Sequence, residues 1–410
     1  MTDLTSTRPL RVTVVMTHPI QYFSPWFRWI TECAPELALT VLYAAVPNAE
    51  QQGRGYGTAF QWDVPVLDGY RYEVCERPEG KAFTDDAFWG VDVPGVGEMI
   101  ARTRPDVALV AGWHSAFQVR ALLACRRRRI PTIYRGDSTL AMAPRGWRRG
   151  VWSVRTWLLL RLFRGWLSVG TQAHEYLRHF GIPEEKMASS PHSVDHAWFA
   201  ERAAVGRKAG AGLAWRHAHG IPVDDFVVLF VGRLLEKKRP LDAVRAVARL
   251  SVPATLVLAG AGPARDEAVQ EGKTLGVRIV APGFVNQQEL AVLYGGADVL
   301  LLPSMRETWG LVVNEALASG LPCVVSESVA AGIDLIQDGV NGWRVPVGDV
   351  GAIARALSSI QVGRAGGRFG VADCEATVLH RGFGEATAGL VSMCRMLSKA
   401  ETRSMQSVVS

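Results

Sequence analysis

Two glutamates stand eight positions apart in the run Glu307-Thr-Trp-Gly-Leu-Val-Val-Asn-Glu315. The apolar stretch Val299–Leu302 ahead of it reads as a strand, Pro303-Ser304 as its exit, and the run from Leu311 as a helix. Gly310 permits close approach of the backbone, and the free N–H groups of a helix start form an anion site. The spacing excludes a facing acid–base pair, because Glu307 falls on the loop and Glu315 about two turns into the helix. Two carboxylates so placed suit different parts of one elongated ligand: a ribose diol at Glu315 and sugar hydroxyls at Glu307. Either glutamate alone would read as a solvated or capping residue; the surrounding context argues against that.

A second run, Val231-Gly232-Arg233-Leu-Leu-Glu-Lys-Lys238-Arg239-Pro240, begins where another apolar strand ends. The ends of strands in an open α/β sheet are where ligands bind. Arg233 offers a planar fork and Lys238 a compact charge, a combination suited to a diphosphate. The cluster Lys237, Lys238, Arg239 by itself would be an ordinary solvated loop; Arg233 directly after a glycine is less ordinary. The next two strands also end in glycine, at Gly260-Ala-Gly262-Pro263 and at Pro282-Gly283-Phe284-Val285. One such turn means little. Three in succession form the rim a nucleotide requires.

In the first half, His114 and Asp137 each follow a strand, and Thr17-His18-Pro19-Ile20-Gln21-Tyr22 follows the first one. A lone histidine is more often structural than catalytic, which is the expectation for His18 and His192. The strand-end position of His114 favours a role in the reaction. Asp137 would contact an acceptor or cap a turn, and His18 and Gln21 fit an acceptor.

The elements that must position these residues alternate. Strands are expected at Val12–Met16, Leu39–Tyr43, Val107–Val110, Thr132–Tyr134 and Leu167–Val169, with a helix at Ala116–Cys125. Further strands are expected at Val227–Val231, Thr255–Ala259, Val277–Val280, Val299–Leu302 and Cys323–Val325. Helices are expected at Leu241–Leu250, Leu290–Tyr294 and Leu311–Ser319. Continuous apolar strands separated by helices imply parallel sheets covered on both faces. The expected fold is α/β: two doubly wound Rossmann-like domains facing a central cleft. The first domain is placed at 1–205, a linker at 206–225, the second domain at 226–365, and a helical segment with a tail at 366–410. Ala386–Leu397 reads as helix and the last dozen residues as frayed.

The chain has 410 residues, 48% hydrophobic and 20% charged, which is enough for two cores and ordinary for an enzyme. No run of 18 apolar residues and no leader-like start is present, so a cytoplasmic location is expected. Six cysteines are scattered without a CxxC pair, which fits reduced thiols rather than a disulfide frame or zinc site. The net charge of +6 is uneven: Arg120 to Arg164 holds twelve arginines and one acid, Asp137, and the remainder is net acidic.

From Gly232 to Gly342 the order and spacing resemble the nucleotide-binding domain of glycosyltransferase family 4, a retaining family of GT-B fold. The resemblance rests on Gly232-Arg233-Leu234 with Lys238, Gly260-Ala-Gly262-Pro263, Gly283-Phe284-Val285, Asp298 to Ser304, the Glu307/Glu315 run and Asp338-Gly-Val-Asn-Gly342. Pro105 to His114 and Ser193-Val194-Asp195 resemble it more loosely. The resemblance implies a nucleotide-sugar donor, diphosphate contacts from Arg233 and Lys238, a ribose contact from Glu315 and His114 near the reacting sugar. Ser304, Trp309, Gly310 and Leu311 join the donor set, and neither metal nor cofactor is implied. The family's glycine pair after the first strand, which touches donor phosphate, is replaced here by Thr17-His18-Pro19.

The expected reaction is hexosyl transfer from a UDP- or GDP-sugar, with retention, to a saccharide or lipid-linked acceptor in polysaccharide or glycolipid synthesis. Two alternatives are a nucleotide-sugar epimerase of the same architecture and a non-catalytic sugar-binding subunit. Pro144 to Gly170 adds six arginines and four tryptophans without an acid. A helix there would pack part of its apolar stripe on the sheet. The arginines beside tryptophans also fit an anionic membrane surface, placing the enzyme peripherally at the inner face of the plasma membrane. No nucleic-acid-binding motif is present.

Overall fold

The computed structural model describes residues 8–75, 88–208 and 210–409, the side chains beyond 398 excepted. Two compact units emerge. The first gathers the described residues of Met1–Gln51, Pro65–Pro191 and Phe383–Ser410. The second gathers Gln52–Val64 and His192–Gly382.

The first unit is built on a parallel sheet of β1 (Leu10–Met16), β2 (Leu37–Tyr43), β3 (Tyr72–Val74), β4 (Val107–Val110), β5 (Thr132–Gly136), β6 (Gly165–Ser168) and β7 (Met187–Ser189). Their order is β3-β2-β1-β4-β5-β6-β7. β1 is an interior strand, with Val12 opposite Leu39 on one side and Val107 on the other. Alternate residues feed opposite cores: Val15, Leu42 and Ala108 on one face, Val14, Val41 and Leu109 on the other. The order reverses between β1 and β4, the switch point where an open α/β sheet binds ligands.

The second unit repeats the plan with β8 (Phe226–Val231), β9 (Ala254–Ala259), β10 (Arg278–Gly283), β11 (Val299–Leu302), β12 (Cys323–Ser326) and β13 (Gly342–Val345), in the order β10-β9-β8-β11-β12-β13. Every residue of β8 is buried, as a central strand between two helical layers demands. Its switch point lies between β8 and β11.

The compact units are not the linear halves of the chain. Residues placed in a linker at 206–225 lie within the second unit, largely in helices His196–Lys208 and Ala211–Ala218. Arg216 holds this stretch in place by donating to Gly296 O at 2.6 Å and to the Asp298 carboxylate at 2.9 Å. The C-terminal helix is longer than expected, Phe383–Val409, and belongs to the first unit. Ala386, Leu390, Cys394 and Leu397 recur on one helical face and complete a core of the first sheet.

The cysteines form no disulfide, and all but Cys33 are buried. Among the described residues no helix is long and apolar enough to cross a membrane.

Candidate active site

The carboxyl edge of the second sheet gathers the residues singled out for the donor. β8 runs into Gly232 and Arg233, and β9 into Gly260 and Gly262. The two loops lie backbone to backbone, with the Gly232 N–H donating to Ala259 O at 3.0 Å and the Leu234 N–H to Ala261 O at 2.8 Å. A Cβ on Gly260 would fall 1.9 Å from the Gly232 carbonyl oxygen, so only glycine lets the loops meet. Gly283, the last residue of β10, closes the row with Phe284 and Val285 after it.

Arg233 is exposed, whereas Lys238 is half-buried. The Lys238 ammonium forms an ion pair with the Glu307 carboxylate. Glu307 is itself held by its backbone, its N–H donating to Ser328 O at 3.2 Å and its carbonyl accepting from Ala330 at 3.3 Å. The Met305 N–H donates to Lys237 O at 2.7 Å, tying the two loops together. Burial, with the charge of Lys237, pulls the Lys238 ammonium down to about 8; the carboxylate beside it acts in the opposite direction.

Behind β11, Ser304 is fully buried and its hydroxyl has no hydrogen-bond partner among the described residues. Helix Leu311–Ala318 starts after Gly310, whose φ is 99°. Trp309 is buried; its indole N–H donates to the Asn314 side chain at 2.8 Å, which donates in turn to His192 O at 3.2 Å. These bonds fix the start of the helix. Glu315 sits inside, where the Tyr294 hydroxyl donates to its Oε2 at 2.7 Å. Burial pushes its carboxyl up to about 7, against hydrogen bonds from Tyr294 and Gln287.

The first unit has its own row at the corresponding edge. His18 and Gln21 follow β1, His114 follows β4 and Asp137 follows β5, three neighbouring strands. The His18 imidazole meets the Thr17 hydroxyl at 3.0 Å. His114 is exposed, its ring parallel to that of Trp113 at 6.4 Å between centroids. Ser115 then caps helix Ala116–Arg127 through a reciprocal bond with Gln118.

Three features escaped the sequence. Arg135 is buried in β5, donates to Ser190 Oγ at 3.0 Å and to the Pro191 carbonyl at 3.0 Å, and lies 4.5 Å over the Trp26 ring. Burial lowers its pKa to about 10. Tyr294, the partner of Glu315, reads only as an apolar helix residue. The segment Gln52–Val64 reaches the loops of the second sheet; its alternating glycines at 53, 55 and 57 were the signal available.

Residues 213–361 match the family described as Glycosyl transferases group 1. Over 238 residues the chain is 32% identical to the D-inositol 3-phosphate glycosyltransferase of Xylanimonas cellulosilytica, covering 57% of this chain and 56% of that one. The chain spans between about a third and just over half of the length of the curated relatives it matches. Two solved structures are similar over nearly the whole chain. The catalytic domain of starch synthase IV from Arabidopsis thaliana, bound to ADP and acarbose, has a TM-score of 0.71 at 11% identity, covering 95% of this chain and all (100%) of that one. HepE of Anabaena, in complex with UDP-glucose, has a TM-score of 0.65 at 14% identity, covering 96% and 100%. The chain thus has the GT-B fold of two Rossmann-like domains, and within its second unit a segment that matches the group 1 glycosyl transferases.

Proposed function

We propose that the protein is a retaining glycosyltransferase that moves a hexosyl group from a UDP- or GDP-sugar to a saccharide or lipid-linked acceptor in cell-surface polysaccharide or glycolipid assembly. The observation that carries this is the meeting of Lys238 and Glu307 at the rim formed by three glycine loops. Arg233, Lys238 and the helix start at Gly310 supply positive charge where the nucleoside diphosphate departs, which is electrostatic stabilisation of charge developing in the transition state. Glu315 accepts from the ribose and Glu307 from the sugar. The bond from the anomeric carbon to the diphosphate oxygen breaks, a bond to the acceptor oxygen forms on the same face, and the acceptor proton passes to the departing diphosphate. Glu307 and Glu315 are not a nucleophile and acid flanking one bond, so a double displacement of glycosidase type has no support here. His114 acts near the reacting sugar, and His18, Gln21 and Asp137 serve the acceptor. These cations make a metal unnecessary, and turnover should persist in a chelator. A panel of UDP-, GDP- and ADP-sugars tested by thermal shift identifies the donor.

The acceptor is met at an anionic membrane surface. Helix Arg148–Leu160 buries only Thr156 and Leu160 fully. Trp147, Val151, Val154 and Leu158 recur at helical spacing and stay 78%, 61%, 61% and 55% exposed. Arg145, Arg148, Arg149, Arg155, Arg161 and Arg164 are all exposed around them. An apolar stripe edged by cations complements a lipid surface of negative charge.

A further inference from the structure

The segment Gln52–Val64, from the first half of the chain, folds with the second unit. It opens with glycines at alternate positions, Gly53-Arg54-Gly55-Tyr56-Gly57. The Tyr56 N–H closes a tight turn by donating to Gly53 O at 2.9 Å. Further on, the ring of Phe60 stacks on Phe284 at 3.9 Å, and Tyr56 meets the same ring edge-on at 5.3 Å. The Asn286 side chain donates to Gln61 O at 2.7 Å and the Gln288 side chain to Asp63 O at 2.6 Å. The segment is therefore strapped to the loop after β10 and to the start of helix Gln287–Gly296.

From that anchor its glycine turn reaches the other two loops of the rim. A Cβ on Gly57 would lie 3.5 Å from the Ala261 Cβ, an ordinary contact. A Cβ on Gly55 would lie 2.8 Å from Arg233 Nη2 and 2.9 Å from its Cζ. Gly55 and Gly57 have φ of 81° and 77°, so a side chain at either meets the same backbone strain. Only at Gly55 would it also displace the guanidinium.

We infer that this strap belongs to the donor site and that Gly55 is a positioning residue for Arg233, its bare backbone being the surface against which the guanidinium lies. The inference rests on the reading of Arg233 as a diphosphate contact. A long, exposed arginine loses freedom when it binds. A wall that already confines the fork reduces that loss, and a methyl group on the wall turns the fork away from a two-point contact with phosphate. Of the three glycines in residues 53–57, Gly55 is the one that lies against this guanidinium.

The test is a mutant cycle on the full chain, read by calorimetry with UDP, GDP and ADP. Gly55→Ala should weaken the nucleotide that binds by more than fivefold, while Gly57→Ala, with equal backbone strain, should change it less than twofold. In an Arg233→Ala background, Gly55→Ala should cost less than twofold, because the group it acts through is gone. Phe60→Leu, which loosens the strap without a glycine change, should show the same dependence on Arg233. Wild-type affinity in Gly55→Ala, or an equal loss with and without Arg233, overturns the positioning role. If Arg233→Ala itself binds as tightly as the unaltered protein, the diphosphate reading fails, and the strap inference with it.

Discussion

Lys238 and Glu307, 69 positions apart in the chain, form an ion pair at the carboxyl edge of the second sheet, with side chains only 17% and 18% exposed. The residue assigned to the diphosphate and the residue assigned to the sugar therefore hold each other. Removing the Glu307 charge should free the ammonium for phosphate. Glu307→Gln should bind free UDP or GDP as well as the unaltered protein or better, yet transfer sugar more than tenfold more slowly. Calorimetry and turnover on one preparation decide it; a loss of nucleotide affinity matching that of Glu315→Ala would refute the split roles.

Arg233→Ala and Lys238→Ala should each lower turnover more than tenfold, the loss expected when a contact worth about 1.4 kcal/mol to the transition state disappears. Steady-state rates with saturating donor give the comparison. Unchanged rates in both variants would remove these residues from the diphosphate.

Much of this edge was legible because glycine at the end of an apolar strand is a strong local signal. Gly232, Gly260 and Gly283 mark three neighbouring strand ends without any knowledge of the fold. Strands β3, β7 and β13 were not foreseen. Each is an edge strand of only three or four residues, so the continuous apolar run that betrays a central strand is missing. The Lys238–Glu307 pair and the Gly55–Arg233 approach join residues far apart in the chain, and no periodicity encodes such distances. The C-terminal helix was read as helix, but its partner could not be: the apolar face of Ala386, Leu390 and Leu397 fits any sheet until the packing is seen.

Glu315 should act against stability. Its folded carboxyl binds a proton more tightly than an unfolded one, with the pKa raised from 4.5 to about 7 by burial. The penalty for the buried charge is absent below pH 4.5, grows as pH rises through this window and is complete above about 7. Glu315→Gln keeps an acceptor for the Tyr294 hydroxyl and removes the charge. The variant should be more stable than the unaltered protein by on the order of 1–3 kcal/mol at pH 8 and no more stable at pH 4. Its nucleotide binding should fall. Denaturant titrations at the two pH values provide the check, and a variant less stable at pH 8 would contradict the buried-charge account.

The exposed stripe Trp147, Val151, Val154, Leu158 should take the protein to anionic vesicles. Each basic side chain near such a surface is worth about 1 kcal/mol, so three or four suffice for reversible attachment. Sedimentation with anionic vesicles should succeed at low salt and weaken at high salt, since exposed charges are screened over about 8–10 Å. Neutral vesicles, or Arg145, Arg148 and Arg149 changed to Glu, should abolish it. Unaltered protein that ignores anionic vesicles at low salt would leave the helix as a solvated surface.

If the proposed function holds, this rim cleaves the bond between a sugar and a nucleoside diphosphate. The most direct measurement is incubation of the purified protein with UDP- and GDP-sugars, without acceptor, followed by separation of the products. A glycosyltransferase should release nucleoside diphosphate and free sugar slowly from one donor, with water in place of the acceptor, and Arg233→Ala should suppress the release. Recovery of an isomerised nucleotide sugar would make the protein an epimerase, and binding of donor with no cleavage at all, with or without a panel of acceptors, would make it a sugar-binding subunit; either result contradicts the account.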